Sequence, residues 1–441
     1  MIRRLSLTNY RAFERIDIPL TKINLLFGPN NSGKSALLSA INLLSQTLDS
    51  GDRDVPLLLT GKFEDLGTYK DIVYGNDTGR DIAFGLEFDM RRAADEEVPR
   101  QARIDITFHY RKQRREIVLS STELSAPPGE VLLKTRVAKV SKSQLVERVG
   151  PKFSGIKMGT SSSGTITLNH YVPSFMPSLG RRWFPRTSRR YSPYREIDFI
   201  LYLIAGSLTE HLGSVEYIGP FRSQPQRTYT FSGETPSSVG VRGEKAVDIL
   251  AADESRRGSK KHNIAQMISR WLQKSKIAEA IRILSLTDRY FEIKLTHFET
   301  GEFENLADVG YGCSQILPIL VAGYYLPTGS VLIVEQPEIH LHPRAEAEVG
   351  TFLCEVAKRG VQLLIETHSE HLLLRLQSHV ASGDLSPEDV NVFYLYSDTE
   401  AEKKQCKRIP LGTDGFFKEE WPKGFFPERL QEAKRLARFS I

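Results

Sequence analysis

Short apolar runs and helical apolar stripes alternate along this chain. Continuous apolar runs are typical of strands covered on both faces, and apolar residues at i, i+4, i+7 and i+11 predict a helix with one buried face. The runs predict two or three short strands within residues 1–27 and one strand each at 331–334 and 361–365. The clearest apolar stripe consists of Leu37, Ile41, Leu44 and Leu48. It predicts a helix that begins near residue 34 and packs against a sheet. Parallel strands with interleaved helices indicate an α/β core.

The middle of the chain has a different pattern. Between residues 82 and 133, short alternating runs predict antiparallel strands. Residues 140–195 are rich in Ser, Gly, Arg and Pro, which predicts mostly loop. Helical patterns return at 196–212 and 262–284, and residues 290–306 predict a hairpin with a Thr-Gly turn. No heptad pattern is sustained, so a long coiled coil is not expected.

Composition and charge exclude several classes of protein. The 441 residues suffice for one large domain with lobes or for two domains. The net charge of +5, from 59 basic and 54 acidic residues, is too small by itself to imply nucleic acid. No apolar run approaches the roughly 18 residues that span a bilayer, and the start lacks the apolar core of a signal peptide. Cys313, Cys354 and Cys406 are far apart and form no CxxC pair, which favours a reduced, cytoplasmic setting and argues against a disulfide framework or a cysteine-rich zinc site. No membrane contact is expected, because no apolar run is long enough.

Residues 28–35, GPNNSGKS, match the phosphate-binding pattern G-x-x-x-x-G-K-[ST] in full. They lie between a predicted strand and a predicted helix, the context that this motif requires. The glycines permit backbone angles that aim N–H groups at phosphate oxygens, and the helix N-terminus adds partial positive charge. Lys34 can serve the β- and γ-phosphates, and the Ser35 hydroxyl can bind Mg²⁺. This segment therefore predicts an ATP site with Mg²⁺.

Two predicted strands end in polar residues suited to the same chemistry. The run at 331–334 is followed by Glu335, the kind of strand-end carboxylate that holds the water shell of Mg²⁺ in nucleotide hydrolases. The next position, which often carries a second carboxylate, is Gln336, which cannot take a proton. Glu338 lies two residues further on. The run at 361–365 leads to His368, which can reach the γ-phosphate from the side.

A second glycine-rich helix start lies at residues 308–315, DVGYGCSQ. Small residues at a helix start can approach a phosphate closely, but one phosphate loop is already present. We therefore expect contact with ATP held by another copy of the chain, and the alternative is a tight turn packed on the sheet. The histidines also allow a zinc hypothesis, which is less favoured because no cysteine lies near them in sequence. That set is His340, His342, His368 and His371.

Five segments in this order resemble the ABC-type AAA ATPases related to RecF, SMC and OLD proteins. They are LTNYRAF at 7–13, GPNNSGKS at 28–35, DVGYGCSQ at 308–315, VEQPEIHLHP at 334–343 and ETHSEHLL at 366–373. In that family the last four are Walker A, the signature motif, Walker B with the D-loop, and the switch histidine. The tail at residues 409–433 resembles the uncharacterised C-terminal segment of a prokaryotic subgroup, several members of which belong to anti-phage systems.

The resemblance implies an ABC-type P-loop NTPase core with a mixed sheet, plus an antiparallel β lobe and an inserted helical and loop segment. Residues 1–84 are expected to form the N-terminal lobe with Walker A, and 85–215 the β-rich and basic insertion. Residues 216–400 are expected to form the C-terminal lobe with the signature, Walker B, D-loop and switch histidine. Residues 401–441 are the tail segment.

The resemblance also implies how such a protein works. Two copies form a homodimer, or a larger assembly, with ATP sandwiched between Walker A of one subunit and the signature of the other. The dimer regulates a separate effector protein, such as a nuclease or toxin. The implied ATP-binding residues are Arg11, Gly28, Asn30, Asn31, Ser32, Gly33, Lys34 and Ser35. The implied Mg²⁺ ligands are Ser35 and, through water, Glu335.

Further roles follow from the same resemblance. The implied trans signature residues are Gly310, Gly312, Ser314 and Gln315. His342 and Pro343 fall in the D-loop. The catalytic candidates are Gln336, Glu338 and His368. Because Gln336 replaces the usual catalytic glutamate, hydrolysis is expected to be slow or conditional. No acidic cluster of the TOPRIM nuclease type follows Walker B, so cleavage within this chain is not expected.

One basic segment has no place in this scheme. Residues 181–195, RRWFPRTSRRYSPYR, contain six arginines, four aromatic residues and no acid. Arginines bind phosphates and aromatic rings stack on bases, so we predict contact with DNA, RNA or an acidic partner, and a solvated loop is the alternative. These arginines are Arg181, Arg182, Arg186, Arg189, Arg190 and Arg195. Two other functions remain open: a P-loop phosphotransferase for a small molecule, and a nuclease with an unrecognised site.

Overall fold

The computed structural model of the chain describes residues 1–90, 99–137, 144–149, 164–177, 193–231, 233–258, 261–398 and 403–421. The chain divides into two compact units. The first unit consists of Met1–Leu20 and Ser35–Val215, and the second unit consists of Thr21–Lys34 and Glu216–Ile441. Among the described residues, no helix combines the length and apolarity needed to cross a lipid bilayer.

The elements are numbered in chain order. The strands are β1 (Ile2–Tyr10), β2 (Phe13–Pro19), β3 (Ile23–Phe27), β4 (Ile82–Asp89), β5 (Gln101–Arg111), β6 (Glu116–Ser125), β7 (Val131–Val137), β8 (Gln144–Val149), β9 (Gly164–Asn169), β10 (Val172–Pro177), β11 (Val215–Ile218), β12 (Tyr229–Thr230), β13 (Ala280–Ser285), β14 (Tyr290–Thr296), β15 (Phe303–Asn305), β16 (Val331–Glu335), β17 (Gln362–Glu366), β18 (Val390–Asp398) and β19 (Lys403–Ile409). The helices are α1 (Lys34–Leu48), α2 (Tyr69–Ile72), α3 (Pro193–Gly213), α4 (Ala246–Ser255), α5 (Ile264–Ser275), α6 (Tyr311–Tyr325), α7 (Pro343–Lys358) and α8 (Glu370–Ala381).

The first unit is built on an antiparallel sheet in the order β2-β1-β4-β5-β6-β7-β8, with a separate hairpin of β9 and β10. Alternate residues of its strands are buried, as in β5, where Ile104, Ile106 and Phe108 are all inaccessible to solvent. This period of two places one face of the sheet in a core. The antiparallel lobe predicted from the sequence is therefore confirmed.

Helix α1 is buried more completely than its apolar stripe predicts. Every residue from 36 to 47 is buried, with 0–6% of its surface exposed. Its polar residues are accommodated by hydrogen bonds. The Ser45 hydroxyl donates to the Leu212 carbonyl at 2.6 Å, and the Thr47 hydroxyl donates to the Leu43 carbonyl at 2.7 Å. The predicted helix is confirmed, and its polar side is bonded inside the unit.

The second unit holds a mixed sheet in the order β11-β16-β17-β3-β18-β19. Strands β16, β17, β3 and β18 run parallel to one another, and β19 runs antiparallel to β18. In this sheet Glu335 of β16 lies opposite Glu366 of β17, which lies opposite Leu26 of β3. A smaller antiparallel sheet contains β12, β13, β14 and β15. The predicted mixed α/β architecture is therefore confirmed.

The central strands of this sheet are apolar and fully enclosed, because helices and the smaller sheet pack against them. Val331 to Val334 are 0% exposed, and a single apolar cluster joins Leu332 and Val334 to residues of α4–α8. Parallel strands covered on both faces have this continuous apolar pattern. The core therefore holds the ends of β3, β16 and β17 in fixed register.

One secondary-structure prediction is wrong in part and another is untested over much of its length. Residues 140–195 were expected to be mostly loop; β8, β9 and β10 lie within them, and residues 140–143, 150–163 and 178–192 lie outside the described residues. The helical pattern at 262–284 covers a helix that ends at Ser275, followed by strand β13. Lys276 adopts a left-handed conformation with φ of 59° and ends the helix. The expected segment boundaries at 84/85 and 215/216 stay predictions; β4 spans Ile82–Asp89, and the first unit ends at Val215.

Candidate functional site

Three neighbouring parallel strands deliver the predicted nucleotide residues to one edge of the sheet in the second unit. β3 ends at Phe27 just before the phosphate loop, β16 ends at Glu335, and β17 ends at Glu366 just before Thr367 and His368. Because the register places Glu335 opposite Glu366, these three strand ends are level. The carboxyl ends of parallel strands are where α/β proteins bind ligands.

The phosphate loop has the backbone that its glycines allow. Gly28 has a φ of 142°, and a Cβ there would lie 2.1 Å from the Leu395 carbonyl oxygen, so no other residue fits. Asn31 and Gly33 also have positive φ, at 62° and 104°. The Ser32 hydroxyl is buried and has no hydrogen-bond partner within the described part of the chain. A buried orphan hydroxyl in such a loop fits a ligand oxygen.

Lys34 is enclosed at the base of this loop. Its ammonium donates to the carbonyls of Gly28 at 2.9 Å and Pro29 at 3.0 Å, and it lies 3.6 Å from a carboxylate oxygen of Glu366. The side chains are 4% and 8% exposed. A buried charge needs such a partner. Glu366 was quoted in the sequence motif but was assigned no role, because only the strand register places it beside Lys34.

The loop after β16 is held in an unusual conformation. Gln336 has a φ of 47°, in the left-handed region, and its N–H donates to the Glu366 carbonyl at 2.7 Å. The Tyr217 hydroxyl donates to Glu335 Oε1 at 2.8 Å. A non-glycine residue in this region costs of order 1–3 kcal/mol and persists only where its surroundings enforce it. The position of Gln336 is therefore set by its neighbours.

Arg222, in the segment after β11, is one of those neighbours. Its Nη2 donates to the carbonyls of Glu335 at 2.6 Å and Gln336 at 3.1 Å. Burial lowers the pKa of Arg222 to about 10, against the opposing effects of Glu338 and Glu335. Sequence reasoning missed Arg222 and Tyr217. Their place beside Walker B depends on the neighbouring positions of β11 and β16, which no local motif encodes.

Glu338 joins the Walker B loop to the switch segment. Its two carboxylate oxygens accept hydrogen bonds from the Thr367 hydroxyl at 2.9 Å and the His368 N–H at 2.6 Å. Burial raises the pKa of Glu338, while these hydrogen bonds favour its ionised form. Partial burial, and secondly the Lys34 ammonium, lower the pKa of His368, so its imidazole is neutral at neutral pH. The three predicted catalytic residues thus share one edge of the sheet.

The predicted signature residues form the start of α6. Gly310 is the N-cap, and Gly312 approaches the His340 carbonyl so closely that a Cβ would lie 2.5 Å from it. Ser314 and Gln315 are buried, and the Ser314 hydroxyl donates to the Tyr311 carbonyl at 2.9 Å. The Tyr311 side chain is 63% exposed. The start of α6 therefore packs on the loop that follows Walker B.

His342 and Pro343 form the start of α7. His342 is the N-cap, and its Nδ1 accepts a hydrogen bond from the Arg344 N–H at 3.2 Å. Pro343 occupies the first helical turn, where its missing N–H costs nothing. These contacts show how His342 and Pro343 begin helix α7. Their role in the D-loop stays a prediction.

The other predicted site residues lie elsewhere or outside the described residues. In the first unit, Arg11 has a φ of 47° and donates to the Ser39 hydroxyl of α1 at 3.1 Å. Ser35 follows Lys34 in the first turn of α1. Among the described residues, no group of three or more His, Cys, Asp and Glu could hold a metal ion. Arg195 is in α3, but its side chain lies outside the described residues, as do Arg181, Arg182, Arg186, Arg189 and Arg190.

Comparison with known proteins places this chain in a family. A model described as "AAA ATPase domain" matches residues 1–171, and one described as "AAA domain, putative AbiEii toxin, Type IV TA system" matches residues 171–375. The two together cover residues 1–375, which include the segments at 28–35, 308–315, 334–343 and 366–373. The chain therefore belongs to the AAA ATPases. Residues 385–436 match a protein family of unknown function, DUF3696.

Individual relatives are distant. An OLD nuclease of Thermus scotoductus is 43% identical over 44 residues, which are 10% of this chain and 8% of that protein. The chain thus spans a small part of that relative's length. An SMC head bound to the C-winged helix domain of ScpA has a TM-score of 0.44 at 11% identity, covering 93% of this chain and 98% of that one. The SMC head domain from Thermotoga maritima has a TM-score of 0.39 at 10% identity, covering 93% and 99%.

Proposed function

We propose that this protein binds ATP with Mg²⁺ at the edge formed by β3, β16 and β17, and that it hydrolyses the ATP slowly or under a condition set by a partner. The observation that carries the proposal is the buried Lys34, held between the phosphate loop carbonyls and Glu366 at the level of Glu335. A lysine is rarely enclosed in this way without paired charges. Triphosphate oxygens are acceptors that fit its ammonium.

The donor set fits both ligands. The phosphate loop offers backbone N–H groups at a helix start and the orphaned Ser32 hydroxyl, which suit phosphate oxygens. Mg²⁺ prefers oxygen ligands, and the predicted ones are the Ser35 hydroxyl and, through water, the Glu335 carboxylate. When bound, Mg²⁺ would neutralise developing phosphate charge. In this proposal Asn30, Asn31 and Gly33 contribute to the phosphate cradle.

Slow hydrolysis follows from the residue after Walker B. Gln336 can hydrogen-bond an attacking water but cannot take its proton. Glu338, two residues after Gln336, is the alternative base, but both of its oxygens accept hydrogen bonds from Thr367 and His368. A positioned general base typically contributes about 10²–10⁴-fold to a rate. In our proposal ATP therefore acts mainly to hold an assembly together.

That assembly is a homodimer, with ATP held between Walker A of one copy and the start of α6 of the other. Support comes from Tyr311, the first residue of α6, which lies between Gly310 and Gly312 in sequence. Its side chain is exposed, so this end of the helix is accessible from solvent. We further propose that the dimer regulates a separate effector, a nuclease or toxin, in anti-phage defence or DNA-linked work. The family description of residues 171–375 includes a putative toxin, and the relative that matches over 44 residues is an OLD nuclease.

The proposal is tested with Lys34→Ala and saturating Mg-ATP. At ATP about 100-fold above Kd, binding stabilises the parent by about 2.7 kcal/mol, which raises Tm by a few degrees. Lys34→Ala should lose this shift, because it removes the buried ammonium. The same samples, measured by light scattering, should show an ATP-dependent dimer for the parent and none for the variant.

Lys274→Ala is the matched control, because Lys274 is 54% exposed and its partner Glu355 is also exposed. It should keep both the Tm shift and the ATP-dependent dimer. A Lys34→Ala protein that keeps the full shift would overturn the nucleotide site. A parent that binds ATP but stays monomeric would overturn the dimer and leave the site intact.

A further inference from the structure

The end of β3, from which the phosphate loop begins, is packed against aromatic side chains from the C-terminal part of the chain. Phe27 is the last residue of β3 and is 3% exposed. Its ring meets the Trp421 ring edge-on, with the two centroids 5.8 Å apart. Tyr394 of β18, the register partner of Phe27, and Phe417 have their ring centroids 5.2 and 5.3 Å from that of Trp421. Trp421 thus contacts all three of the other rings.

Trp421 ends a loop that is attached to a second element near the site. This tail loop (residues 410–421) packs against α8, where the Gln377 side chain donates to the Gly415 carbonyl at 2.8 Å. Helix α8 begins two residues after His368. The tail loop therefore contacts both the strand that leads into the phosphate loop and the helix that follows the switch segment.

A short path of contacts joins Phe27 to the buried lysine of the site. Gly28 follows Phe27 directly, and its carbonyl accepts a hydrogen bond from the Lys34 ammonium at 2.9 Å. On its other side Gly28 lies so close to the Leu395 carbonyl that no Cβ fits between them. Packed interiors relax around a missing side chain, so a cavity in place of the Trp421 ring would let the end of β3 move. Such a movement would displace the carbonyl that holds Lys34.

We propose that Trp421 is a positioning residue of the ATP site, which holds Phe27, and through it the phosphate loop, in the conformation that binds ATP. This inference rests on the proposed function and deepens it, because it assigns control of ATP affinity to the tail loop. Trp421 does not touch the nucleotide in this proposal and acts through Phe27 and the Gly28 carbonyl. Coupling between two sites is reciprocal, so bound ATP stabilises the tail loop in return.

The first test measures the Kd for Mg-AMP-PNP by calorimetry, at a temperature well below the Tm of every variant. Trp421→Ala should raise this Kd by about tenfold, which lies within the general range for coupling between sites. Trp421→Phe keeps a ring against Phe27 and should restore most of the affinity. A residue with a purely structural role would lower Tm and leave the Kd unchanged, and that result would overturn the inference.

Phe416→Ala is the matched control, because Phe416 lies in the same tail loop and its side chain is 72% exposed. It should bind Mg-AMP-PNP with the affinity of the parent. If Phe416→Ala weakens binding as much as Trp421→Ala does, the effect does not come from the contact with Phe27, and the inference is wrong.

Hydrogen exchange of the parent decides the case if Trp421→Ala does not fold. Saturating Mg-AMP-PNP should slow exchange in the tail loop, for example at the Gly412 N–H, which donates to the Phe416 carbonyl at 2.7 Å. The exposed turn between β13 and β14 should exchange at the same rate with and without nucleotide. Unchanged exchange in the tail loop of a parent that binds the nucleotide would overturn this inference alone. A parent that binds no nucleotide would overturn the proposed function, and this inference would fall with it.

Discussion

The second unit contains two glycine-rich helix starts, before α1 and before α6, and they differ in what surrounds them. The first helix start is buried: the Lys34 side chain is 4% exposed, and its ammonium donates a hydrogen bond to the loop that precedes it. The second helix start is exposed at Tyr311, while the buried Ser314 hydroxyl donates a hydrogen bond within its own helix. Similar glycine patterns thus have different surroundings. Our proposal assigns the first to a phosphate held by the same chain and the second to a phosphate brought by another copy.

The largest expected effect is on ATP hydrolysis and concerns the loop that follows β16. Gln336→Glu should raise the single-turnover rate of ATP hydrolysis by up to about 10²–10⁴-fold, because it restores a proton acceptor beside the strand-end carboxylate. Rapid-quench measurement of product would show it. Glu338→Gln is the companion variant, and it should change the rate less. A parent that turns over several ATP per second, with Gln336→Glu no faster, would contradict the slow mechanism.

The second-largest expected effect is on the stability of the phosphate loop before α1. Gly28→Ala should lower the free energy of unfolding by about 3 kcal/mol, since its Cβ would meet the Leu395 carbonyl at 2.1 Å. Urea unfolding measures this, and ATP should no longer stabilise the variant. Gly51→Ala is a suitable control, because nothing lies within 4 Å of the added Cβ. A stable Gly28→Ala protein that still binds ATP would contradict the proposed difference between the buried helix start before α1 and the exposed one before α6.

The smallest expected effects concern the helix start before α6. Gly312→Ala should lower the free energy of unfolding by about 1–3 kcal/mol, because its Cβ would lie 2.5 Å from the His340 carbonyl oxygen. Gly310→Ala meets nothing within 4 Å and should cost about 0.5 kcal/mol or less. Light scattering should nevertheless show that Gly310→Ala weakens ATP-dependent dimerisation while ATP binding persists. An unimpaired dimer would remove Gly310 from the trans site.

The sequence was sufficient for the parts of this site that are local. The phosphate loop, the strand that ends at Glu335 and the helix that begins after Gly310 each have a pattern within one short segment, and each element is present. Apolar runs also predicted the central strands, because strands covered on both faces must be apolar. The roles of these residues in catalysis and dimerisation stay predictions.

What could not be predicted depends on register and on distant neighbours. Glu366 pairs with Lys34 because β17 lies beside β3, and Arg222 reaches Gln336 because β11 lies beside β16. The spacing of apolar residues along the sequence does not indicate which strands are adjacent in a sheet. Strand β13 was mistaken for helix because Ile281 and Ile283 continue the apolar density of the preceding helix, although they alternate with exposed residues.

The insertion of β3 between β17 and β18 has a consequence for dissecting the protein. Thr21–Lys34 is separated by some 180 residues of the first unit from the rest of the second unit, since the chain rejoins it at Glu216. A single cut near residue 215 would therefore leave the middle strand of the mixed sheet on the N-terminal fragment. Neither fragment could complete its fold alone. We expect the two pieces to regain ATP binding only when they are co-expressed, which makes this chain a natural candidate for a split reporter of assembly.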